Sequence, residues 1–209
     1  MYELGQKHGL LLLEELILEA GYDTSTKCTY DRPDGGLPIL RIPNVASEEI
    51  NLDDLKFAVL SDKERRKVRL APDDLLIVRT NGSADLVGRC AVVPTLPEPA
   101  GFASYLIRIK ADQARIDPNF LQLVLRFLRN DGQLFDFART TAGQYNVSLG
   151  RLKAACIPVP PLAEQRRIVA HFDSLQTKMA PLRALHSKIA DELDALLPSI
   201  LDRAFKGEL

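Results

Sequence analysis

Ile157-Pro158-Val159-Pro160-Pro161-Leu162-Ala163-Glu164-Gln165 divides the chain into two unlike parts. Pro158, Pro160 and Pro161 have no N–H to give, and a helix interior does not accept them, so the stretch predicts a stiff, extended connection. Pro161 is placed to open a helix, where its fixed φ suits the first turn. Glu164, three positions on and still in the first turn, favours the helix dipole. Residues 1–160 mix short β-like runs with a few helical segments and hold 11 of the 12 glycines, whereas 161–209 hold only Gly207.

Downstream of the junction the pattern is a heptad seam. Ile168, Phe172, Leu175, Met179, Leu182, His186, Ile189, Leu193, Leu196 and Ile200 alternate in steps of four and three, with only His186 polar. A helix from Leu162 to Leu197 would run roughly 50 Å at 1.5 Å per residue. A globular domain of this size cannot cover such a length. The seam therefore asks for a partner helix, in the same chain or another. A helical hairpin packing on itself is the other arrangement the pattern allows. Pro181 is expected to kink the helix or divide it in two.

Upstream, 1–160 reads as an α+β domain with a mixed or antiparallel sheet. Leu10–Ala20 looks helical, with Gly21 as its stop. Pro38–Ile42 is a short strand. Leu75–Arg79 and Leu86–Val93 are β-rich runs separated by Thr80-Asn81-Gly82-Ser83-Ala84-Asp85, and Asn-Gly between such runs signals a hairpin. Ser104–Ile109 is a further strand. Asp117-Pro118 is an N-cap followed by proline at the first helical position. Phe120, Leu121, Val124, Leu125 and Leu128 then give that helix an apolar face.

Composition narrows the function by exclusion. With 46% hydrophobic and 26% charged residues, the chain has the balance of a folded soluble protein. No apolar run approaches the roughly 20 residues that cross a bilayer. Cys28, Cys90 and Cys156 are too scattered for a disulfide framework or a zinc site, and a cytoplasmic location is the expectation. No phosphate-binding loop or Gly-rich dinucleotide loop is present. His8, His171 and His186 lack metal-ligand spacing, so no metal site, cofactor or catalytic residue is expected. Pro72-Asp73 lacks the acidic-x-Lys element of a metal-dependent nuclease on the next strand.

The formal charge of −1 does not announce a nucleic-acid binder, so any such case rests on local charge. Lys63, Arg65, Arg66, Lys67 and Arg69 surround one acid, Glu64. From Phe137 to Ala163 stand three basic residues, Arg139, Arg151 and Lys153, and no acid. Thr140, Thr141, Gln144, Tyr145, Asn146 and Ser148 add polar donors there. The hairpin tip contributes Arg79, Thr80, Asn81 and Ser83, with Arg89 returning. Arginine and asparagine can make bidentate contacts to guanine and adenine edges. Lysine and threonine suit phosphates. A solvated charged face would look the same in sequence.

The motifs resemble a known family. Leu37-Pro38-Ile39-Leu40-Arg41-Ile42-Pro43-Asn44-Val45 resembles the opening motif of the target-recognition domain in specificity subunits of type I restriction–modification systems. Ala71-Pro72-Asp73-Asp74-Leu75-Leu76-Ile77-Val78-Arg79-Thr80-Asn81-Gly82-Ser83 resembles the next block, in which Gly-Asp usually stands where this chain has Asp73-Asp74. Thr141-Ala142-Gly143-Gln144-Tyr145-Asn146-Val147-Ser148 leads to the Pro-Pro-Leu-x-Glu-Gln signature before the family's long helix. Ile200-Leu201-Asp202-Arg203-Ala204-Phe205-Lys206-Gly207-Glu208-Leu209 fits its C-terminus.

The resemblance implies a non-catalytic subunit that reads double-stranded DNA through 1–160, at Arg41, Asn44, Arg65, Arg66, Lys67, Arg79, Thr80, Asn81, Ser83, Arg89, Gln144, Tyr145 and Asn146. It implies that 161–209 is a spacer and pairing helix. Pro160, Pro161, Leu162, Glu164 and Gln165 are then expected to dock a methyltransferase subunit, with a restriction/motor subunit as a further partner. S-adenosylmethionine and ATP belong to those partners alone. Relatives hold two recognition domains and two helices, and this chain has one of each. It is expected to be a half-length subunit that homodimerises through the helix, or part of a longer one. A coiled-coil adaptor that binds the methyltransferase without reading DNA is the alternative.

Overall fold

The computed structural model describes residues 2–22, 27–133 and 143–206. Arg139, Thr140, Thr141 and Ala142, the ending Gly207-Glu208-Leu209 and the side chain of Ile200 lie outside the described residues. The first half of the chain contains α1 (Tyr2–His8), β1 (Leu10–Leu12), β2 (Ile17–Tyr22), β3 (Leu37–Leu40), β4 (Lys56–Ala58), α2 (Asp62–Val68), β5 (Asp74–Val78), β6 (Thr80–Asn81), β7 (Cys90–Val92) and β8 (Gly101–Phe102). Then come β9 (Leu106–Ala111), α3 (Pro118–Asn130), β10 (Tyr145–Asn146), α4 (Leu149–Lys153), β11 (Cys156–Pro158) and α5 (Leu162–Phe205). The chain forms two compact units, Met1–Arg166 and Arg167–Leu209, so the first turn of α5 belongs with the first unit.

The platform of the first unit is an antiparallel sheet in the order β2-β9-β5-β7. Side chains alternate across a strand, so its two faces carry different residues. Leu76, Val78, Ala91 and Leu106 point into a core shared with Leu37, Ile39, Leu40 and Phe102 of the smaller mixed sheet β4-β3-β8. Leu75, Ile77, Ile107 and Ile109 occupy the other face, and α3 packs against β5 and β7. Asp117 caps α3 as expected, its Oδ1 accepting from Asn119 N (3.0 Å) and Phe120 N (3.2 Å). All five predicted apolar residues of α3 are buried, each worth about 1.5–3 kcal/mol over exposure. Gly101 lets α2 sit close: a Cβ there would stand 2.6 Å from Val68 Cγ2.

The strand at Pro38 and the antiparallel pairing of the Leu75 and Leu86 runs are present, with shifted bounds. Leu86–Gly88 turns, and β7 begins only at Cys90. The helix expected over Leu10–Ala20 is absent. Leu10–Leu12 pairs with β11, Leu13–Leu16 makes one 3-10 turn, and Ile17–Tyr22 pairs with β9. Only Leu13 and Leu16 of this run are fully buried, and Glu15 closes the turn by accepting from Leu12 N at 2.9 Å. Leu18 is skipped in the register and exposed. Pairing with strands some ninety or more residues away outweighs the helix propensity of leucine and glutamate, which is a fraction of a kcal/mol per residue.

Pro181 does not divide the C-terminal helix. α5 runs through both Pro181 and Pro198. Each proline removes one N–H from the ladder, and the turns on either side continue. No helix among the described residues is long and apolar enough to cross a membrane.

Asp73 adopts φ +69°, a left-handed conformation that suits glycine and costs an ordinary side chain about 1 kcal/mol. Its N–H donates to Val93 O (2.9 Å), so the turn into β5 cannot relax away from it. Glycine adopts this conformation without that cost. Asp73→Gly is expected to raise stability by about 0.5–1 kcal/mol, or about 2–3 °C in Tm for a chain this size. Thermal unfolding followed by circular dichroism checks it, and a fall in Tm contradicts the account.

Candidate nucleic-acid interface

At one end of the sheet, where β2 and β5 finish and β9 begins, the chain builds a two-stranded ribbon. Arg79 follows β5 and is pinned on both sides: its N–H donates to Tyr105 O, and its carbonyl accepts from Val147 N, both at 2.8 Å. Thr80 and Asn81 then pair antiparallel with Asn146 and Tyr145. Thr80 Oγ1 donates to Tyr145 O (3.0 Å), and the side-chain amide of Gln144 lies 3.3 Å from the same hydroxyl. Asn81 Oδ1 accepts from Ser83 N (2.8 Å), the local turn that aspartate and asparagine favour, which closes the tip. The Asn-Gly segment is thus more than a hairpin tip, because it is the partner of a strand 64 residues away.

The ribbon gathers Arg79, Thr80, Asn81, Gln144, Tyr145 and Asn146, and it leaves Ser83, Gln144 and Asn146 exposed. The guanidinium of Arg79 lies 4.2 Å from the ring centre of Tyr22 at the end of β2. Leu149 N donates to Tyr22 Oη (3.0 Å), which ties in α4, the short helix carrying the exposed Arg151. Tyr105 stands exposed at the same end of the sheet. Sequence reasoning did not select Tyr22 or Tyr105, and it weighed Arg151 only as part of a net-basic stretch. Nothing local marks the tyrosines, whose role depends on which strands end together. The opposite end of the sheet carries Asp74 and Glu19 beside Lys110. Burial pushes the Asp74 carboxyl above its ordinary range, against the pull of Ala71 N–H, Arg108 and Lys110.

Other expected DNA contacts are engaged within the fold. Asn44 is 1% exposed, accepts from Arg41 N (2.8 Å) and donates to Asn51 O (2.8 Å) and Asp54 O (3.1 Å). It is corrected to a loop bracket, since a buried amide so satisfied has nothing to offer a base. Arg41 donates to the carboxylate (2.8 Å) and carbonyl (3.0 Å) of Asp54. Arg89 clamps Asp85 O (2.8 Å) and Ala46 O (2.7 Å). On α2, Ser61 and Glu64 form a capping box, and the Ser61 hydroxyl and N–H hold the Glu64 carboxyl below its usual range. Arg65 turns back to Leu60 O (3.1 Å) and Gly35 O, whereas Arg66 and Lys67 are exposed.

The junction is likewise inward-facing. Gln165 is fully buried: Nε2 donates to Arg115 O (3.0 Å) and Pro160 O (2.8 Å), and Oε1 accepts from Asp117 N (2.7 Å). Pro160 is also buried, so neither residue can be a docking contact; Gln165 fastens the start of α5 to the cap of α3. Glu164 pairs with Lys7 (3.5 Å) and His8 (3.2 Å) of α1. Pro161 is exposed, and Leu162 and Glu164 are partly so. In the second unit the described seam residues Leu175, Met179, Leu182, Ile189, Leu193 and Leu196 are exposed, as is the flanking Leu185.

A family model described as type I restriction modification DNA specificity domain matches residues 17–192. The StySPI type I restriction enzyme specificity subunit of Salmonella potsdam is 30% identical over 177 residues, 83% of this chain and 37% of that protein. The EcoKI specificity subunit of Escherichia coli is 28% identical over 175 residues, 83% of this chain and 38% of that protein. In fold, the chain is similar to the HsdS subunit from Thermoanaerobacter tengcongensis, with a TM-score of 0.63 at 24% identity over 96% of this chain and 45% of that one. The chain spans well under half the length of the curated relatives it matches.

Proposed function

Since the chain belongs to the family of type I restriction modification DNA specificity domains, we propose that it is a non-catalytic reader of double-stranded DNA that pairs through α5. In this reading it places an adenine methyltransferase and a restriction/motor subunit on a bipartite site. S-adenosylmethionine and ATP are then used by those partners in the cytoplasm.

The observation that carries the reading is the ribbon. Two segments far apart in sequence converge to present amide, hydroxyl and guanidinium groups at one sheet end. Such groups discriminate base edges. Arg66 and Lys67 supply exposed charge for phosphates. The exposed apolar seam supports pairing, because a long helix with its heptad face in water gains by covering it.

Binding of sequence-resolved duplexes tests the reading. Arg79→Ala, Asn81→Ala or Asn146→Ala is expected to cost about 1–3 kcal/mol, concentrated at one base pair each. Lys67→Ala is expected to weaken all sequences alike and lower the salt slope by about 1. If all four variants bind every sequence like the parent, the ribbon is not the reading element, and an adaptor role gains.

A further inference from the structure

We propose that Tyr22 is a positioning residue for sequence recognition: its ring sets the direction of the Arg79 guanidinium, and its hydroxyl holds that ring against the segment that follows β10. The inference rests on the ribbon being the DNA-reading element.

Three parts of the chain meet at Tyr22. It is the last residue of β2, aligned with Ile107 of β9, so its backbone is fixed by the sheet. The Arg79 guanidinium lies over its ring at 4.2 Å, within the range in which a cation is held by an aromatic face. Its hydroxyl accepts from Leu149 N at 3.0 Å, immediately beyond the ribbon strand Tyr145–Asn146. One side chain therefore braces the root of β6 and the exit of β10. Arg79 Nε is buried and has no hydrogen-bond partner among the described residues. The ring contact is thus the observed constraint on this guanidinium.

The constraint matters because arginine is long and loses rotamer freedom when it engages a base. A guanidinium already stacked in one plane gives up less, and it can be bidentate only in that plane. A merely structural tyrosine would lower stability and weaken every sequence alike. A positioning tyrosine changes discrimination at the one base pair that Arg79 reads.

The test is selection from a DNA duplex library with a randomised central segment, using the full chain and variants whose folding is confirmed by thermal melting. Arg79→Ala should flatten the preference at one base pair. Tyr22→Met, which fills similar volume without an aromatic face, should reduce preference at that same base pair by about tenfold and leave the others unchanged. Tyr22→Leu provides the second non-aromatic variant should Tyr22→Met not fold. Tyr22→Phe, which keeps the ring, should stay within about threefold of the parent. Uniform weakening by the non-aromatic variants, or none where Arg79→Ala has its effect, overturns the inference alone. If Arg79→Ala flattens no position, the ribbon's base reading has failed and the inference falls with it.

Discussion

Gln165→Ala is expected to lower the stability of the first unit by about 3 kcal/mol, and its Tm by about 6–12 °C. The side chain is fully buried and makes three hydrogen bonds, at 2.7, 2.8 and 3.0 Å, to three backbone groups. Truncation leaves Asp117 N–H, Arg115 C=O and Pro160 C=O without that partner in a site too enclosed for easy hydration. An unsatisfied buried group costs about 1–3 kcal/mol, and part of the cost is recovered if water enters. Gln165→Glu should be at least as harmful, because a carboxylate would face the two carbonyls to which the amide now donates. Glu164→Ala, one residue away, removes an ion pair to Lys7 and a contact with His8, both on α1, from a carboxylate that is itself partly exposed, and should cost under about 1 kcal/mol. Urea unfolding of the three variants separates the cases. Gln165→Ala falling within about 0.5 kcal/mol of the parent would sink the argument that the amide pins the helix, since surface changes commonly stay in that range.

The same residue marks where sequence reasoning stops. The Pro-Pro-Leu-x-Glu-Gln block was legible as a junction and a helix start because proline and an acid in the first turn act locally. The destination of Gln165 was not legible, because two of its three partners lie about fifty residues upstream at Arg115 and Asp117. Asn44, Arg41 and Arg89 follow the same rule. Each is a polar side chain in or near a recognisable block, and each is turned inward to hold backbone carbonyls that only the folded loops bring close. By contrast, α3 was legible to its cap, since Asp117, Pro118 and the apolar face are all set within a few turns. The ribbon was half legible. Thr80-Asn81 and Gln144–Asn146 each read as donor-rich segments, but their pairing is a long-range fact. Leu10–Ala20 failed for that reason too: its leucines suit a helix, and its strand partners on β9 and β11 decide otherwise.

Leu182→Asp should abolish self-association of the chain. Leu182 is 59% exposed, and it stands in a described seam with Leu175, Met179, His186, Ile189, Leu193 and Leu196, all of them exposed and spaced by three or four. On the proposed reading a second copy covers that face antiparallel, as a closed twofold pair in which each seam position contributes twice. A carboxylate placed there is buried without a partner, which costs about 3–5 kcal/mol per site. Even one site at the lower bound weakens association by more than about a hundredfold, since each 1.4 kcal/mol is tenfold. Asp191→Ala, two positions from Ile189 and off the seam, should leave association unchanged. Equilibrium sedimentation of the full chain and both variants reads the outcome directly. A parent that stays monomeric at high concentration would defeat self-pairing, and would mean that α5 finds its partner helix in another chain or in a longer form of this one. A dimer that survives Leu182→Asp would mean that the seam is not the interface. With the dimer confirmed, twofold symmetry makes a further demand: the two reading ribbons are identical, so the selected DNA site must be two inverted copies of one half-site with a fixed spacing between them.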